Sequence, residues 1–210
     1  MRVNVADASI SFGSFTVFSH FSASFEAGRV TALVGPSGSG KSSLLAAMAG
    51  YMPLTRGTIN VDNGGVSHGP DADLVAWVPQ GSNALARRTV LDNVLIASLS
   101  AGRSMTDAVD VAEDSLAQVG LADRSGEQAR RLSGGELQRV AIARALASGK
   151  ALILADEPSA NLDARNTEEV AAILNRLVSR ATIVVATHDP ILVSASDAAV
   201  HMRPEAAPGA

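Results

Sequence analysis

The stretch Gly35-Pro36-Ser37-Gly38-Ser39-Gly40-Lys41-Ser42 constrains this chain more than any other. It reads G-x-x-x-x-G-K-S, glycines closing on a lysine and a hydroxyl residue. Arg29–Val34 before it is a short apolar run, as a buried strand would be. Ser42–Ala49 after it reads as a helix ending at Gly50, which can take the left-handed cap. Strand, glycine turn and helix in that order open a parallel α/β unit. The glycines let successive backbone N–H groups turn inward around an anion, and the positive end of the helix dipole strengthens their field. Lys41 is placed to reach the β- and γ-phosphates of a nucleotide, and the Ser42 hydroxyl to ligate its Mg²⁺. Ser43, next in the same helical turn, belongs to the same set. The plainer alternative is a flexible Gly/Ser linker that happens to hold a lysine, and the flanking strand and helix weigh against it.

A phosphate loop of this kind needs a metal-holding acid at the end of a neighbouring strand. Ala151–Ala155 is a continuous apolar run, as expected of a central strand buried on both faces, and Asp156 and Glu157 follow it directly. The aspartate can hold the Mg²⁺ shell while the glutamate polarises an attacking water. A second nest of exposed amides lies at Leu132-Ser133-Gly134-Gly135-Glu136-Leu137-Gln138. Ser133 with Glu136 three residues later also reads as a capping box, and the two readings are compatible.

The rest of the chain fits one α/β domain interrupted by helices. Val3–Phe12 and Thr16–Phe25 are β-rich and are punctuated by Gly13 and Gly28. Between about 82 and 149 strand patterns give way to Ala, Leu, Asp and Glu, and Thr106–Val119 reads as a helix. Val170, Ile173, Leu174, Leu177 and Val178 follow helical spacing, and Thr182–Ala186 is a further buried strand. The expected division is a core lobe at about 1–81 and 150–202, a helical lobe at about 82–149, and a disordered tail over 203–210. With 210 residues and 47% apolar content the chain can build a full core. The 17 basic and 21 acidic side chains leave a net charge of −4, which speaks against a nucleic-acid partner. The chain has 0 cysteines, which excludes thiolate metal sites and thiol catalysis. No apolar run approaches the roughly 20 residues of a membrane-spanning helix, and the first residues do not read as a signal peptide.

The phosphate loop, Leu132–Gln138 and Leu154-Ala155-Asp156-Glu157-Pro158, in this order, resemble the ABC ATPase family from Val3 to about Met202. The resemblance implies a phosphate-loop fold with a RecA-like parallel core, an N-terminal antiparallel β region and the inserted helical lobe. It implies ATP and Mg²⁺ as ligands and ATP hydrolysis as the activity. By resemblance Gln80 is the glutamine that senses Mg²⁺ and couples to a membrane partner. Ser159-Ala160-Asn161-Leu162-Asp163 is the loop that crosses a dimer interface, His188 the switch histidine, and Phe12 the aromatic residue that stacks on adenine. His20, His68 and His201 have no such context and read as surface or packing residues, and Trp77 and Tyr51 as packing.

The same resemblance implies a head-to-tail homodimer with two ATP between the phosphate loop of one copy and Ser133–Gly135 of the other. It places the pair at the cytoplasmic face of a membrane, bound to separate permease subunits. Leu85 and Val90, with Arg87 and Arg88 between them, are the expected contact. Leu154–Asp163 is similar to the exporter branch that includes lipoprotein-release, cell-division and macrolide-efflux ATPases, although Ser159-Ala160 departs from the branch's Thr-Gly. An importer subunit is the alternative. A DNA-repair or translation ATPase would add a second cassette or a coiled-coil insertion, and a phosphate-loop kinase would lack the Ser-Gly-Gly motif.

Overall fold

The computed structural model describes residues 1–203; positions 204–210, on which nearly all of the expected tail falls, lie outside the described residues. Two sheets divide the strands. An antiparallel sheet in the order β2-β1-β4-β5 is built from β1 (Arg2–Phe12), β2 (Phe15–Phe25), β4 (Arg56–Asn63) and β5 (Val66–His68). A parallel sheet in the order β6-β7-β8-β3-β9 contains β6 (Val75–Val78), β7 (Leu152–Asp156), β8 (Thr182–Thr187), β3 (Val30–Val34) and β9 (Ala198–His201). Besides four 3-10 turns, the described residues hold six α-helices: α1 (Lys41–Met48), α2 (Val90–Ser100), α3 (Met105–Gln118), α4 (Gly134–Ala147), α5 (Ala164–Arg176) and α6 (Pro190–Ala195).

The parallel sheet separates two hydrophobic clusters, and the period of two along each strand assigns residues to them. On β7, Leu152 and Leu154 join α1 and the antiparallel sheet, while Ile153 and Ala155 join α2 to α5. On β8, Val184 and Ala186 face the first cluster and Ile183 and Val185 the second. Both strands are buried along their whole length, so their sequences are apolar runs without alternation. Each fully buried leucine or isoleucine here contributes roughly 1.5–3 kcal/mol relative to exposure. Residues 82–149 form no strand, and α2, α3 and α4 share one core with a face of the parallel sheet.

Helix starts follow capping chemistry. Thr89 and Ser133 each close a capping box, with Asp92 and Glu136 respectively, and Ser104 and Asp163 cap α3 and α5.

Candidate functional site

The carboxyl ends of the parallel strands gather the candidate residues, because parallel register puts the exits of neighbouring strands side by side. Val34 pairs with Thr187, Asp156 with Ala186 and Val78 with Ala155. The loops that begin at Gly35, Glu157, His188 and Pro79 therefore leave one edge of the sheet together.

The phosphate loop closes on itself as its glycines require. Gly40, the N-cap of α1, has φ 92, and a Cβ there would stand 2.7 Å from Phe18 Cδ1. A Cβ on Gly35 would stand 2.6 Å from Ser39 Oγ. Lys41 is buried, and its Nζ donates to the Gly35 carbonyl at 2.8 Å and the Pro36 carbonyl at 3.2 Å while pairing with Glu157 Oε1 at 3.2 Å. Ser39 is also buried, and its Oγ has no partner among the described residues. A buried cation, an orphaned hydroxyl and a glycine-lined cradle suit a phosphate chain.

Ser42 Oγ donates to Asp156 Oδ1 at 2.9 Å, which joins the first turn of α1 to the end of β7. Burial pushes the Asp156 carboxyl above its ordinary range against that hydrogen bond; neighbouring Glu157 adds to the rise and Lys41 opposes it. A hydroxyl and a carboxylate in contact are oxygen ligands of the kind Mg²⁺ takes together with phosphate oxygens. Glu157 holds φ 45, a left-handed conformation that costs an ordinary residue about 1 kcal/mol. Its amide is fixed by the Ala186 carbonyl at 2.8 Å. His188 Nδ1 lies 3.1 Å from both Glu157 carboxylate oxygens. A hydrogen on Nδ1 would be shared between the two carboxylate oxygens.

Other expected residues lie apart from this group. Ser133, Gly134 and Gly135 form the first turn of α4, and no hydrogen bond among the described residues ties them to the phosphate loop. A Cβ on Gly135 would run into Asn166, 2.6 Å from its Cγ, whereas Gly134 has nothing within 4 Å. Asp163 Oδ1 accepts from the amide and the side chain of Asn166, both at 2.8 Å, so Asp163, Asn166 and Gly135 form one contiguous patch. Those bonds, the backbone one first, hold the Asp163 carboxyl below its ordinary range. Gln80 is exposed, two residues past β6. Phe12 is 56% exposed at the tip of the β1–β2 hairpin, and Phe15 beside it is 67% exposed. Phe15 escaped the sequence reading; a second aromatic residue across the Gly13 turn was its signal.

One expectation is corrected. Val90 cannot contact a partner: it is 0% exposed, because Thr89 caps α2 and the first residue of that helix turns into the core. His201 is exposed, as a surface residue is, and stands in register with Val34, where it lines a cleft of about 510 Å³ with Gly35, Pro36 and His188. Sequence reasoning also missed Asn93 and Arg144, which set the loop after Gln80. Buried Asn93 accepts from Leu85 N at 2.7 Å and donates to the Leu85 and Thr89 carbonyls. Arg144 donates to the Ser82 and Asn83 carbonyls at 3.2 Å each. Tyr51 and Trp77 do touch, at 5.9 Å between ring centroids, but Tyr51 is exposed and both line a cleft of about 970 Å³.

The fold and this edge define a nucleotide-hydrolysing phosphate-loop protein, and the family model for ABC transporters matches residues 18–160. The chain belongs to the ABC transporter family and is an ATP-binding, ATP-hydrolysing subunit of it. It is 39% identical to the lipoprotein-releasing system ATP-binding protein LolD of Bacteroides thetaiotaomicron, over 91% of this chain and 92% of that one. Among solved structures it resembles dimeric MJ0796, a bacterial ABC transporter cassette, with a TM-score of 0.81 and 26% identity over 96% of this chain and 94% of that one. The post-hydrolysis dimer of that cassette, bound to ADP and Pi, gives 0.80 at 26% identity over 97% of each chain. Among the described residues no helix is long and apolar enough to cross a membrane.

Proposed function

We propose that this chain works as a homodimer that closes around two ATP, hydrolyses them and drives separate permease subunits from the cytoplasmic face of a membrane, in export or force transmission. The contact chain Lys41–Glu157–His188 beside Ser42–Asp156 carries this reading. The phosphate-loop amides from Gly35 to Ser43 hold the phosphates, and Lys41 leaves the Gly35 and Pro36 carbonyls to meet them. Ser42, Asp156 and Gln80 hold Mg²⁺, which when bound neutralises phosphate charge. Glu157 accepts a proton from the attacking water as the β–γ bridging bond breaks, giving ADP and phosphate. His188 orients the Glu157 carboxylate, and Phe12 stacks on the base.

The second anion nest supports a dimer. The Ser133–Gly135 turn leaves Gly134 exposed at the start of α4 with no phosphate of its own, so an ATP held by a second copy is its fitting ligand. The dimeric cassettes and the Asp163–Asn166–Gly135 patch agree with that arrangement. The exporter branch rests on Leu154–Asp163 and on the lipoprotein-releasing relative.

Glu157→Gln tests the chemistry. ATP binding should persist while hydrolysis falls at least roughly a hundredfold, as when a general base is removed, and ATP should trap a two-subunit species visible by light scattering. Normal turnover in this variant would mean that another group orients the water.

A further inference from the structure

Glu136 poses an electrostatic problem for the reading just given, on which this inference rests. A carboxylate at the third position of α4 stands within one helical turn of Ser133 and Gly134, where a phosphate is to arrive. Its Oε2 already accepts from the Ser133 amide and from the Ser133 hydroxyl, each at 2.8 Å. The same bonds, the backbone one first, keep the Glu136 carboxyl below its ordinary range, so it carries a full negative charge at neutral pH. An unpaired anion there would repel ATP and keep the serine hydroxyl for itself.

Arg124 answers that charge from outside the helix. Its Nη1 donates to Glu136 Oε1 at 2.9 Å, on the oxygen that Ser133 does not use. Its Nη2 donates to Glu127 Oε2 at 3.0 Å and its Nε stands 2.6 Å from Glu127 Oε1 as an ion pair, which orients the guanidinium. The turn that bears Arg124 is itself anchored, since the Ser125 and Glu127 carbonyls accept from the Leu91 and Val90 amides at the start of α2. Arg139 is the other cation near Glu136, and it is committed to the Val119 carbonyl at 3.2 Å and Glu169 at 3.8 Å.

We propose that Arg124 is the positioning residue of the Ser133 nest. It neutralises Glu136 and holds it as a cap, so that the nest can take the phosphate of ATP bound in the partner copy. The residue acts through Glu136 and not on ATP itself.

The test uses the full chain in the Glu157→Gln background, where closure is read by light scattering against ATP concentration. Arg124→Met should raise the ATP concentration for half-closure by at least about tenfold, and the defect should deepen at low salt, where charges are less screened. Binding of a fluorescent ATP analogue to the isolated subunit should stay unchanged, because the phosphate loop is intact. Adding Glu136→Gln removes the charge and keeps an acceptor for Ser133, and should restore closure to within about threefold of the parent. A merely structural arginine would not be rescued by a change at Glu136. If Arg124→Met does not fold, Arg124→Gln carries the test, since it keeps a polar donor without the charge: the ATP concentration for half-closure is required to rise by at least about tenfold, and adding Glu136→Gln is required to restore it. Closure of Arg124→Met at the parental ATP concentration, or a double variant as weak as the single one, overturns the proposal. A parent that binds ATP and never closes overturns the dimer reading itself, and this inference with it.

Discussion

Asp156 holds its position at a cost to the free protein. Its carboxyl is nearly enclosed and its pKa is raised, chiefly by burial, so the ionised form is disfavoured in the fold relative to the unfolded chain. For an acid with a raised folded pKa the penalty is fully present above that pKa. It shrinks as pH falls, and vanishes below the unfolded value of about 3.9, where both states are protonated. Asp156→Asn keeps an acceptor for Ser42 and removes the charge. Without nucleotide the variant should melt a few degrees above the parent at pH 7, with the difference closing as pH approaches about 4. Turnover should be lost at every pH. Melts that run parallel from pH 7 down to 4 would show that Asp156 carries no burial penalty. Glu157 makes a similar trade through its backbone, held left-handed by the Ala186 carbonyl so that its carboxylate meets both Lys41 and His188.

The two glycines at the start of α4 separate packing from ligand binding. Gly135 is fixed by its own subunit, since a Cβ would collide with Asn166, which itself caps α5 with Asp163. Gly135→Ala should therefore destabilise the subunit by about 1–3 kcal/mol, and adding Asn166→Ala should recover most of that loss in thermal melts. Gly134 has no neighbour within 4 Å among the described residues. Gly134→Ala should fold as the parent does, yet weaken ATP-driven closure by at least about tenfold, because the added methyl shields amides that serve the nest. Undiminished closure in Gly134→Ala would remove the nest from the ATP site.

The elements differed in how openly the sequence announced them. The phosphate loop is legible because backbone geometry dictates glycine and lysine at fixed spacing, and β7 and β8 because double burial makes unbroken apolar runs. Arg124, Asn93 and Arg144 are not legible, since each is a single polar residue whose partner is set by tertiary packing. Val90 misled because an apolar residue after two arginines looks exposed. Thr89 with Asp92 three residues on was the capping signal that it begins a helix.

At the scale of the whole molecule, the proposed coupling of hydrolysis to a membrane partner calls for a surface that is rigid and placed beside the site. The loop from Pro79 to Thr89 meets both conditions. Gln80 lies two residues past β6, whose last residue Val78 pairs with Ala155, while Asn93 and Arg144 pin the backbone that follows. This loop borders the cleft of about 970 Å³ lined by Trp77, Pro79, Asn83, Ala97 and Arg144. Further along the loop Leu85 stands 47% exposed with Arg87 and Arg88 exposed beside it, a combination suited to an amphipathic helix carrying acidic groups. The chain has 0 cysteines, so Leu85→Cys creates a unique thiol that a benzophenone maleimide can occupy. Irradiation of the assembled complex should join this position to a membrane subunit, and the complex should contain one kind of ATPase chain. The same label at Val66, exposed on the antiparallel sheet, should give no permease adduct. Adducts from Val66 but not from Leu85, or a second and distinct ATPase chain in the complex, would move the coupling surface elsewhere on the molecule.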